Sequence, residues 1–325
     1  MAMKAVVIYE AGGPEVLKVE ERPIPKAKPG WVLIRIKAFG LNRSELFTRR
    51  GDSPNVKFPR ILGIEATGIV EDAPSGEFEK GTVVATAMGD MGRAFDGGYA
   101  EYTTVPAKQV QPLRTTLPWA TLGACAEMFQ TAYGSLFRAL DLQKTDTLLV
   151  RGGTTSIGLA ATGLAKNLGC KVIATSRSAG KKDFLLSKGV DDVIVDSGSI
   201  AKDVKRLTGG AGVNKVLELV GTTSLLDSLQ CVAPGGTVCM TGIVGNSWAL
   251  PEFSPMEAIP TGVKLTAYSG GPEDFMNTPL QQLVEQIEAG KLEVHVGKTF
   301  GIDEIVKAHT VMEANKAGGK VVVLT

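Results

Sequence analysis

One stretch of this chain constrains its fold more than any other: a strand that runs directly into a glycine turn and then a helix. Thr147 to Val150 is predominantly apolar, Arg151-Gly152-Gly153-Thr154-Thr155-Ser156-Ile157-Gly158 follows, and a helical run to Gly169 sets Leu164 and Leu168 on one face. The spacing Gly153-x-Thr155-x-x-Gly158 is that of a dinucleotide-binding turn. There the first glycine makes the tight turn, the second admits a pyrophosphate close to the backbone, and the third lets helix and strand pack closely. Thr155 stands at the middle position. The turn therefore offers the Thr155 or Ser156 hydroxyl, beside Ile157 and the N–H groups and positive dipole end of a helix N-terminus.

The rhythm continues. Lys171 to Thr175 reads as the next strand, Lys181 to Lys188 as a helix and Asp192 to Val195 as a third strand, with Lys215 to Val220 and Thr237 to Ile243 extending the series. Strands alternating with helices of this length predict an α/β unit with a doubly wound parallel sheet of the Rossmann type. About 20 residues past the turn, chains that bind NAD carry an acid for the ribose hydroxyl. This chain has Thr175, Ser176 and Arg177 there, followed by Lys181 and Lys182. A carboxylate would repel a 2′-phosphate and an arginine would pair with it, so NADPH is the expected cofactor.

The first third reads differently. Lys4 to Tyr9, Trp31 to Lys37 and Thr67 to Val70 are short strand candidates separated by turns such as Gly12-Gly13-Pro14 and Lys28-Pro29-Gly30, which predicts a mostly β, barrel-like unit. Two helical segments, Leu280 to Glu288 and Ile302 to Glu313, precede a last strand, Lys320 to Leu324. At 325 residues the chain is long enough for two cores. Its net charge of +1, with lysines and arginines dispersed among acids, argues against a nucleic-acid partner. No apolar run approaches the roughly 20 residues that span a bilayer, and the amino-terminal segment lacks the apolar region of a signal peptide. The reading is cytoplasmic, with no membrane partner. Cys125, Cys170, Cys231 and Cys239 form no C-x-x-C pair and read as reduced, buried hydrophobes.

With these residues in view, the chain resembles the medium-chain dehydrogenase/reductase superfamily and, within it, the zeta-crystallin-like quinone oxidoreductases. The resemblance rests on Met3-Lys4-Ala5-Val6, Gly40-Leu41-Asn42-Arg43-Ser44-Glu45, Leu62-Gly63-Ile64-Glu65-Ala66-Thr67-Gly68, Gly97-Gly98-Tyr99-Ala100-Glu101-Tyr102, Thr131-Ala132-Tyr133-Gly134, the glycine turn and Gly319-Lys320-Val321-Val322. It implies a GroES-like, mostly β catalytic domain from residues 1–121 and 270–325, a Rossmann domain inserted at 122–269, and an active site between them. It also implies a homodimer joined along the Gly262 to Ser269 segment.

Zinc-dependent members of the superfamily carry three catalytic ligands where this chain has Asn42, Ile64 and Glu127, and a lobe of four cysteines that is missing between Met88 and Tyr102. An amide and a branched hydrocarbon do not make an N/S zinc site, so no metal is expected. Without a Lewis acid, simple alcohols and aldehydes are difficult substrates, whereas quinones and enones need only cofactor placement and one or two hydrogen bonds. The resemblance casts Asn42 in that hydrogen-bonding or nicotinamide-positioning role, puts Thr131 beside the nicotinamide ribose, and makes Glu65 an orienting acid. Gly242, Val244 and Lys320 complete the expected cofactor-binding set. His295 and His309 read as structural or exposed, and Tyr99 and Tyr133 as ordinary core or as lining of the cleft. The expected function is transfer of hydride from NADPH to a quinone or an α,β-unsaturated carbonyl. A ketone or alcohol oxidoreductase and a non-enzymatic NADPH-binding structural or sensor protein are the alternatives.

Overall fold

The computed structural model describes residues 1–325. The chain divides into one unit made of Met1–Gln130 and Gly270–Thr325, and another made of Thr131–Ser269. The first junction lies later than residue 121 because a helix, Ala126–Tyr133, runs through it.

The first unit opens with eight strands: β1 (Ala2–Ile8), β2 (Lys18–Pro23), β3 (Trp31–Gly40), β4 (Arg60–Ile61), β5 (Glu65–Asp72), β6 (Val83–Ala87), β7 (Tyr102–Pro106) and β8 (Val110–Pro112). The pairings β1–β2, β1–β4, β3–β5, β3–β7, β5–β6 and β6–β8 are all antiparallel, as expected of strands joined by short Gly/Pro turns. β3 is the longest and runs on from Lys37 to Gly40, which brings it to the edge of the site described below.

The second unit carries β9 (Thr147–Arg151), β10 (Lys171–Ser176), β11 (Asp192–Val195), β12 (Val213–Glu218), β13 (Val232–Met240) and β14 (Lys264–Ala267), every pairing parallel, in the order β11-β10-β9-β12-β13-β14. The chain therefore reverses direction across the sheet between β9 and β12. In a doubly wound sheet such a switch point opens the ligand crevice at the carboxyl ends of the strands. Leu149, Ile173, Ile194, Val216 and Val238 pack against Leu225 and Leu229 of the helix Thr222–Gln230. Each such buried side chain contributes roughly 1.5–3 kcal/mol. β13 begins well before the expected Thr237: Val232 already pairs with Val213, and the register shift before Lys215↔Thr237 accommodates Pro234-Gly235-Gly236.

The chain returns to the first unit with β15 (Val296–Gly301) and β16 (Lys320–Leu324), which pair in parallel, and β16 pairs antiparallel with β3. This stitches the last residues beside Gly40.

Candidate active site and dinucleotide turn

At the carboxyl end of β9 the backbone turns at Gly152, whose φ of 97° lies in the left-handed region. The turning glycine is thus Gly152, one residue before the expected Gly153. Gly153 serves another purpose: a Cβ there would come within 2.8 Å of the Ala174 Cβ on β10. Thr155 caps the helix Ser156–Leu168. Its hydroxyl donates to the Gly152 carbonyl at 2.8 Å and accepts the Gly158 N–H at 3.0 Å. Its one proton is thereby used within the turn, so Thr155 shapes the loop while Ser156 and Ile157 stand in the helix's first turn, where N–H groups lack intrahelical partners. β10 ends on buried Ser176, followed by exposed Arg177. Lys181 closes a short 3₁₀ turn, its Nζ 5.5 Å from the Phe184 ring centroid. Gly242 and Val244 follow β13 and donate to the carbonyls of Glu218 and Leu219, which holds their loop against the end of β12.

Beneath this turn lies a fully buried cation that the sequence reading passed over. Arg151 Nε and Nη2 grip Asp196 Oδ2 and Oδ1 at 2.8 and 3.0 Å, and Nη2 also reaches the Gly198 carbonyl. Nη1 donates to Asp227 Oδ2, Ser228 Oγ and the Ser224 carbonyl. Burial works against both charges, yet Arg151 holds the Asp196 carboxyl below the usual carboxylate range, and Asp196 with Asp227 keeps the guanidinium charged. Asp196 is therefore spent on structure at the end of β11. The available signal was a charged residue closing an apolar strand destined for the middle of a parallel sheet.

In the first unit, a second polar cluster gathers around Asn42. The Lys320 ammonium, in a residue only 2% exposed, donates to Asn42 Oδ1 at 2.5 Å and Glu127 Oε2 at 3.2 Å, and lies 3.0 Å from Glu65 Oε1. Asn42 Nδ2 donates to Glu65 Oε1 at 3.0 Å and Glu45 Oε1 at 3.3 Å. Glu65 Oε2 accepts the Glu127 N–H in the first turn of the helix Ala126–Tyr133, and Glu45 accepts the N–H groups of Asn42 and Ile64. Gly40 makes the room, since a Cβ there would stand 2.3 Å from Glu65 Oε1 and 2.5 Å from Lys320 Cε. Burial pushes the Glu45 carboxyl up to about 7; the Ile64 N–H opposes that shift and Glu65 adds to it. The pull of Glu65 and Glu127 holds the Lys320 ammonium above its ordinary range in spite of burial.

Residues 28–115 match the alcohol dehydrogenase GroES-like domain, and residues 188–323 match a zinc-binding dehydrogenase domain. The human quinone oxidoreductase is 27% identical over 331 residues, covering 99% of this chain and 98% of that protein. The Pseudomonas aeruginosa quinone oxidoreductase is 28% identical, covering 99% of each. The chain belongs to the medium-chain dehydrogenase/reductase superfamily, in its quinone oxidoreductase branch. The quinone oxidoreductase structure from Pseudomonas syringae pv. Tomato superposes with a TM-score of 0.90 at 25% identity over the whole of both chains. A mycobacterial protein solved in complex with NADPH does so with 0.88 at 29% identity, covering 99% of this chain and all of that one.

Within this branch, two expected roles change once the hydrogen bonds are traced. Asn42 was expected to hydrogen-bond the developing oxyanion or to position the nicotinamide; in the first unit both its amide protons point at carboxylates and its oxygen at Lys320. Lys320 was expected to meet the cofactor, but its ammonium already has three oxygen partners inside the first unit. Thr131 begins the second unit, its carbonyl accepting the Ser135 hydroxyl at 2.7 Å. Tyr99 and His309 are structural: Tyr99 stacks on Phe39 at 4.8 Å and its hydroxyl meets His309 Nε2 at 3.0 Å. Tyr133 packs on Phe137, and all four cysteines are buried free thiols.

Proposed function

We propose that this chain is an NADPH-dependent reductase of quinones or α,β-unsaturated carbonyls that works without zinc. The observation that carries the reading is the end of β10, where buried Ser176 leads into an exposed Arg177 and no carboxylate replaces it. Arg177, with Ser176 and Lys181, would read the 2′-phosphate; Gly153, Ser156 and Ile157 would hold the pyrophosphate, with Gly158 letting the helix pack against the turn, and Gly242 and Val244 would flank the nicotinamide half. Crowding at Gly153 supports the fit, because a side chain there would run into Ala174 and lift the turn away from β10, the strand whose end carries Ser176 and Arg177. The mycobacterial relative solved with NADPH supports the same cofactor. NADPH, when bound, supplies a hydride; the protein contributes placement, with Thr131 assigned to the nicotinamide ribose by family resemblance.

The residues at the three ligand positions do not fit zinc. Ile64 is buried hydrocarbon, and the side-chain oxygens of Asn42 and Glu127 accept from Lys320. With no Lewis acid to polarise a carbonyl, conjugated acceptors are the substrates such a site reduces most readily. The edge strand β14, paired only with β13, is the surface we assign to a homodimer. No helix is long and apolar enough to cross a membrane, and four free thiols suit the reducing cytoplasm. Fluorescence titration with NADPH and NADH tests the carrying observation: the reading expects NADPH to bind at least about tenfold more tightly, and equal affinities would count against it.

A further inference from the structure

The positions that resemble zinc ligands already enclose a cation of this chain's own. We propose that the Lys320 ammonium is the resident cation of the Asn42–Glu65–Glu127 cluster, fills the place that a divalent metal holds in zinc-dependent relatives, and keeps such metals out. Lys320 is thus a positioning residue, acting through Asn42 and the two carboxylates.

Three features of the first unit support this. The ammonium has an oxygen within hydrogen-bond distance for each of its three protons, Asn42 Oδ1, Glu65 Oε1 and Glu127 Oε2, and two of these residues occupy former ligand positions. The amide is held in one orientation: its oxygen faces Lys320 and its NH2 faces Glu65 and Glu45, so reversing it would turn NH2 on ammonium and oxygen on carboxylate. The approach is built into the backbone, because Gly40 alone among residue types leaves space for Lys320 Cε beside Glu65. Buried Glu65 and partly buried Glu127, so close together, need a countercharge, and a buried charge left unpaired is strongly disfavoured. A lysine carried on β16, paired in register with β3, supplies it without recruitment from solvent.

The inference goes beyond the proposed activity and is measured apart from it. Removing the ammonium should leave three convergent oxygens, a donor set suited to hard cations such as Mn²⁺. The full-length protein and its Lys320→Ala variant are titrated with Mn²⁺ alone, following loss of the six-line electron paramagnetic resonance signal of the free ion. The wild type should leave that signal unchanged. The variant should take up one Mn²⁺ per chain, and adding Glu127→Gln should weaken uptake by at least about tenfold as ligand charge is lost. If Lys320→Ala refolds poorly, recovery of a cooperative melt on adding Mn²⁺, with Tm rising as its concentration rises, reports the same site by mass action. Mn²⁺ uptake by the wild type that depends on Glu127 would overturn the proposal. So would a folded variant that binds none, or a variant that fails to refold equally with and without the ion.

Discussion

Arg49 donates through Nη1 to Nδ1 of His309 at 3.1 Å, with both side chains fully buried. A guanidinium has no acceptor, so His309 must present a lone pair at Nδ1 and carry its proton on Nε2, where the Tyr99 hydroxyl oxygen accepts it. Protonating Nδ1 would set N–H against N–H. Burial first, and then the Arg49 charge, lower the His309 pKa to about 3.

That relationship fixes a pH dependence of stability. A histidine in the unfolded chain takes up its proton near 6.5, whereas folded His309 does so only near 3, so between these values the unfolded state binds more protons. Stability should be fully present above about pH 6.5 and fall as pH is lowered toward 3. The contribution of this one group is at most about 1.4 kcal/mol per pH unit. Urea unfolding of wild type and His309→Gln across pH 4 to 7 checks it: the wild type should lose stability relative to the variant on acidification, and parallel curves would refute the assignment.

Cofactor choice should depend on Arg177. A charged hydrogen bond is worth roughly 1.5–3 kcal/mol, so Arg177→Ala should lower kcat/KM for NADPH by about 10- to 150-fold at 1.4 kcal/mol per tenfold. NADH, which lacks the phosphate, should change little. Steady-state kinetics with both cofactors decides; equal losses would mean that this side chain does not read the phosphate.

In solution the protein should be a dimer formed along β14. Light scattering at micromolar concentration should give about twice the 34.2 kDa chain mass. A monomer mass under those conditions would leave the exposed edge without its assigned partner.

Local patterns in the sequence carried the α/β unit, because a strand, a glycine turn and a helix are contiguous and each follows its own periodicity. The same reading placed the tight turn at Gly153 instead of Gly152, since spacing alone does not say which of two adjacent glycines takes positive φ. It offered the Thr155 hydroxyl to a ligand because nothing in the spacing reveals that Thr155 closes on Gly152 and Gly158. Long-range pairings were the least legible. Asn42 and Lys320 lie at opposite ends of the chain, and only the antiparallel register of β3 and β16 brings them together. Arg151 looked like a loop residue because it borders the glycines, yet it ends β9 and is buried between Asp196 and Asp227, acids from two later segments.

The central claim is hydride transfer from NADPH to a conjugated acceptor without a metal. It is tested most directly by following the loss of NADPH absorbance in a stopped-flow instrument as the protein meets a panel of quinones, enones and unconjugated aldehydes, with and without a chelator. The account predicts rapid oxidation with at least one quinone or enone, none with the aldehydes, and no effect of chelation. NADPH that binds but stays reduced across the panel, or turnover confined to unconjugated carbonyls and abolished by the chelator, would contradict it.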